Sequence, residues 1–227
     1  MPFSRVIAPE HESNPESLTR DMAGIGMNLG GRANHEANIE DTLFRASGEG
    51  MDRGDLRVLA VLTTWLGPHG ARVNVDRIRK LVEASGSPRT RAYWAAVGRW
   101  LAKDRRYARL GSLYRGEPLD ILDVGTSFQI RRHGEDARFI GSSLRVPANV
   151  LRDRSSDVLM PGDLARRHRA YAWRIAIGPT YRADMCAALE AEPDLRPADL
   201  ARKTYGSFAT AWQAKADHQV FGPAFLG

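Results

Sequence analysis

Cysteine is almost missing from this chain: of 227 residues one is a cysteine, Cys186. A single thiol excludes an intrachain disulfide framework and any multi-cysteine zinc site. Cys186 falls in an apolar stretch with no activating neighbour, which predicts a buried structural thiol rather than a nucleophile. Lysine is nearly as scarce, since 29 of the 33 basic residues are arginine. No run approaches the ~18 apolar residues that span a bilayer. The opening MPFSRVIAPEHESNPES turns polar after Ile7, so no signal-peptide core is expected. The six histidines, His11, His35, His69, His133, His168 and His218, include no pair at metal-ligand spacing, and the carboxylates form no convergent pair. Gly24 to Gly30 superficially resembles a dinucleotide loop, but no strand precedes it and its third glycine is misplaced. These absences predict a cytoplasmic protein that is not an enzyme and holds neither metal nor cofactor.

What is present is charge, unevenly spread. The net charge is +6. Residues 1–50 carry 4 basic against 8 acidic side chains, residues 51–145 carry 18 against 10, and residues 146–227 carry 11 against 9. A basic centre suits a polyanionic partner, although heavy arginine usage also follows from a GC-rich genome.

The pattern predicts a mainly α protein with a small β component, organised as two helix-turn-helix or winged-helix-like units behind an N-terminal arm. Residues 1–50 read as the arm: acidic, rich in Gly and Asn, partly extended, with one short amphipathic piece from Ile39 to Phe44. Residues 51–146 read as a winged-helix-like domain. Leu56, Leu59, Ala60, Leu62 and Leu66 mark a helix that Gly67-Pro68-His69-Gly70 should break, and Ala71 to Val73 suits a short strand. Asn74 should cap a second helix to about Ala84, and Ser87-Pro88 should start a third running to about Lys103. Four strand-like pieces follow, ARLGSLY, DILDVG, SFQIRR and ARFIGSSLRV, with turn signals between them. Here Arg89 and Arg91 sit at the start of the third helix, and Arg131 and Arg132 lie beside a hairpin tip, where a wing meets DNA.

Residues 147–227 read as a helical domain. A helix is expected over DLARRHRAYAWRIAIG, with Leu164, His168, Tyr171 and Ile175 on one face. Residues 181–219 then give three short helices: Tyr181 to Glu192, a second opening at Pro197, and a third from Phe208 capped by Ser207. Leu200 and Ala201 pack inward. The start of the third helix presents Ser207, Phe208, Thr210, Gln213 and Lys215. Glutamine pairs with adenine, while Arg202, Lys203 and Lys215 suit phosphates. Phe208 and Trp212, four residues apart, read as core or interface aromatics.

On Leu200-Ala201, Gly206-Ser207 and Thr210, the segment resembles bacterial helix-turn-helix regulators of the winged-helix kind. One departure is plain: those regulators place glycine four residues after the alanine, a position that Tyr205 occupies here. With a second small domain and an arm, the architecture is similar to antitoxin-type regulators of bacterial defence and toxin–antitoxin operons, the AbiE kind among them. The resemblance implies a transcriptional regulator binding double-stranded DNA, commonly as a homodimer. A second reading makes the chain a protein-interaction or assembly factor that neutralises or scaffolds a partner protein through the arm, with the helix-turn-helix as architecture.

Overall fold

The structure, a computed structural model, describes residues 14–221. The part of the arm in residues 1–13 lies outside the described residues. The rest is mainly helical with one small two-stranded sheet, and it falls into two compact units, residues 14–161 and 162–221.

In the first unit the region read as an extended arm is helical and forms core. Helix α1 (Pro15–Gly24) is capped by Asn14, whose side chain accepts from the Ser17 N–H. Helix α2 (Ile39–Asp52) is capped by Asn38 and buries Ile39, Leu43, Ala46 and Met51. Around α2 pack α1, α3 (Leu56–His69), α4 (Val75–Ala84) and α5 (Pro88–Trp100).

Two local features explain why α2 reads as an arm in sequence. Gly50 looks like loop punctuation, yet a Cβ there would lie 2.7 Å from the Leu59 Cβ, so the glycine is what lets α3 approach. Glu40 and Asp41 look like solvated arm charge, yet both are buried. The Glu40 carboxylate accepts the Asn74 N–H at 2.8 Å, and Asp41 pairs with the buried Arg77. Buried carboxylates need such partners to stay in the core. Arg45 joins α2 to α1 through Asp21 at 2.7 Å.

The caps expected at Asn74 and Ser87 are in place. The helix expected to stop at Leu66 ends within residues 67–70, three residues later: α3 runs through Pro68 to His69, and the Gly70 N–H closes its last turn on the Leu66 carbonyl. Ala71 to Val73, expected as a short strand, falls instead on a 3-10 turn, Gly70–Arg72, and the residue after it.

The wing is also corrected. Instead of a hairpin, β1 (Leu119–Asp120) and β2 (Leu144–Arg145) pair in parallel, Leu119 opposite Leu144. A parallel pair needs a crossover, and here it contains α7 (Thr126–His133), built from the SFQIRR stretch read as strand. Gly125 and Gly134, both at positive φ, start and stop α7. ARLGSLY forms the end of the short α6 (Arg105–Ala108) and a 3-10 turn.

A histidine secures the end of this unit. His69 is buried, stacks on Trp65 at 4.4 Å between ring centroids, and bonds the Leu159 carbonyl through Nε2 at 2.8 Å. A carbonyl only accepts, so Nε2 carries the proton. Burial lowers the imidazole pKa from 6.5 to about 4, partly opposed by that backbone hydrogen bond. Between these values the unfolded chain binds a proton that the native state refuses. The contribution of His69 is therefore complete above pH 6.5 and is lost as pH falls towards 4, by about 3 kcal/mol in all. Urea unfolding over this range should show that loss in the native chain and a flatter profile in His69→Gln; equal profiles would contradict it.

The second unit contains α8 (Pro161–Arg167), α9 (Arg169–Ile177), α10 (Tyr181–Ala191), α11 (Pro197–Lys203) and α12 (Phe208–Phe221). The single helix expected over residues 163–178 is two, because the His168 side chain turns back to accept the Tyr171 N–H and caps α9. Met185, Ala188, Leu189, Leu200, Ala211 and Ala214 form the core joining α10, α11 and α12. Among the described residues no helix is long and apolar enough to cross a membrane.

Candidate nucleic-acid interface

The turn between α11 and α12 shapes the site. At the end of α11 the Tyr205 N–H bonds the Arg202 carbonyl at 3.2 Å and the Gly206 N–H reaches back to Ala201 at 3.0 Å. This pair of bonds closes a helix whose next residue is left-handed. Tyr205 is that residue, with φ +58°. A tyrosine pays roughly 1–2 kcal/mol where glycine would not, and its nearly complete burial offsets the strain.

Gly206 lies over α10: a Cβ there would meet the tip of the Met185 side chain at 2.2 Å and the Tyr181 Cβ at 3.4 Å. The left-handed residue of this turn is Tyr205, one before the glycine.

Ser207 then starts α12, its hydroxyl accepting the Thr210 N–H at 3.1 Å and lying 2.7 Å from the Thr210 hydroxyl. Ala211 and Ala214 face the core, which turns Phe208, Ala209, Trp212 and Gln213 outward. Trp212, expected as core or interface, is 58% exposed, and Phe208 is 39% exposed. The signal available in sequence was the pair of small residues at 211 and 214, three apart on the inward face.

The cations near this surface are engaged. Arg202 pairs with Asp199, which also receives Arg196 at 2.7 Å. The hydrogen bond from Arg196, opposed by burial and helped to a smaller extent by the one from Arg202, holds the Asp199 carboxyl below its ordinary range. Lys203 pairs with Glu192 at 2.5 Å, and the Lys215 ammonium donates to the Leu195 carbonyl at 2.6 Å. Gln213 donates to Asp217 at 2.9 Å, and Asp217 also pairs with Arg182. Exposed pairs of this kind are worth little and exchange readily.

Of the residues selected from sequence, Arg202, Lys203, Ser207, Thr210, Gln213 and Lys215 come together on α11, the turn and α12. Arg89, Arg91, Arg131 and Arg132 belong to the other unit and fall into two places. Arg89 donates to the carbonyls of Met51 and Ile121, and Arg91 to those of Glu83 and Ser85 at the end of α4. Both guanidiniums are occupied in holding helices together. Arg131 and Arg132 sit exposed in the last turn of α7, not at a hairpin tip.

Among the described residues no group of three or more His, Cys, Asp or Glu side chains is placed to hold a metal ion. Burial pushes the half-buried Cys186 thiol up, the direction of an unreactive cysteine. Comparison with known proteins finds no matching family model, no matching curated protein and no matching solved structure.

Proposed function

We propose that this chain binds duplex DNA through α11, the left-handed turn and α12, with α12 laid in the major groove, and that it acts as an operator-binding regulator of the antitoxin type. The observation that carries the reading is the turn. Tyr205 supplies the left-handed residue between two short helices, and the helix that follows presents the outer side of its first turns to solvent. A helix held this way offers side chains to base edges and its N-terminal dipole to phosphate. Arg202 and Lys203, on exposed and exchangeable pairs, supply phosphate contacts.

A second reading has its own support: exposed Trp212 beside Phe208 is the sort of aromatic anchor found at protein interfaces. A gel-shift assay with the full chain separates the two. Gln213→Ala and Arg202→Ala should each weaken duplex binding by roughly tenfold while circular dichroism stays unchanged. Wild-type affinity in both variants would overturn the proposal. The protein-partner reading requires the intact chain to lack duplex affinity at low salt and a partner contact to be lost in Trp212→Ala.

A further inference from the structure

We infer that the outward face of α12 reads A·T base pairs, thymine methyl groups above all, and does not read guanine; this rests on the duplex-binding proposal above. Guanine is read most often by Arg or Lys donating to its O6 and N7. Helix α12 contains no arginine, and its one lysine, Lys215, is half-buried and turned back onto the Leu195 carbonyl. Cytosine N4 is read by a carboxylate. The one carboxylate on α12, Asp217, is half-buried and pairs with Arg182. No charged side chain stands among the outward residues of the first turns of α12, so the charged chemistry that distinguishes a G·C pair is missing from that face.

What faces outward on the first turns of α12 is Phe208, Ala209, Trp212 and Gln213. Apolar side chains in the major groove gain by covering the thymine C5-methyl, which no other base carries. Glutamine matches adenine, donating to N7 and accepting from the N6 amino group. The amide of Gln213 already donates through Nε2 to a neighbour on its own helix, and that exposed bond can be exchanged for the base. Trp212 and Phe208, one helical turn apart, are the two large apolar groups exposed on these first turns.

The test is selection from a randomised duplex pool with the full chain, followed by substitution of the recovered site. We expect A·T-rich sites. Replacing thymine by uracil, which removes only the methyl, should weaken binding roughly fourfold at each contacted position. Replacing guanine by 7-deazaguanine should leave affinity unchanged. In Trp212→Ala, an exposed position, the thymine and uracil duplexes should bind alike at the position that Trp212 covers. Duplex binding with G·C-rich sites, without sequence preference, or indifferent to the methyl would overturn this inference while the duplex reading stands. No affinity for any duplex would overturn both.

Discussion

Arg174→Met is expected to destabilise the second unit by about 3–5 kcal/mol, enough to consume much of the stability of a small domain. Arg174 on α9 and Asp184 on α10 are 1% and 7% exposed, and the guanidinium meets the carboxylate through two bonds of 2.9 and 2.8 Å. Met keeps most of the side-chain volume but leaves Asp184 charged or protonated in a dry site. The double change Arg174→Met with Asp184→Leu should recover most of the loss, because an apolar pair of similar size avoids the desolvation of both ions. Urea unfolding measures both. A single variant within about 1 kcal/mol of the native chain would mean that Asp184 is solvated.

Trp94→Ala should cost the first unit about 3–5 kcal/mol, the range for truncating a buried tryptophan. Trp94 is fully buried on α5 and donates its indole N–H to the Ser47 hydroxyl of α2 at 2.9 Å. Its ring meets Tyr93 edge-on at 5.6 Å. Truncation leaves a cavity between the two helices that tie this unit together. The Ser47 hydroxyl keeps its own bond to the Phe44 carbonyl, so the loss is one of packing. A shift below about 1 kcal/mol in the same assay would show that the core closes over the gap.

Helix starts carrying local chemistry were legible from sequence. Asn74, Ser87-Pro88 and Pro197 each satisfy or remove an orphan N–H through neighbours a few residues away. Features that depend on distant partners were not. Nothing near Gly50 announces Leu59, and nothing near Glu40 and Asp41 announces Asn74 and Arg77, so a core helix looked like an acidic arm. The parallel pairing of residues 119–120 with 144–145 spans a helix, and alternation alone suggested adjacent strands.

At the candidate site, α11 and α12 and the turn between them were readable from Pro197, Ser207 and the small residues. The state of the cations was not. Whether Arg202 or Lys203 is free depends on Asp199 and Glu192, and the outward setting of Trp212 depends on which face the core occupies.

The most direct measurement is fluorescence anisotropy of a labelled duplex titrated with the full chain, repeated from about 50 mM to about 200 mM salt. If Arg202 and Lys203 exchange their carboxylates for phosphates, binding is saturable at low salt, and log K falls linearly with log salt with a slope of roughly −2 or steeper. A flat titration at the lowest salt would contradict the account of α11 and α12 as a DNA-binding surface.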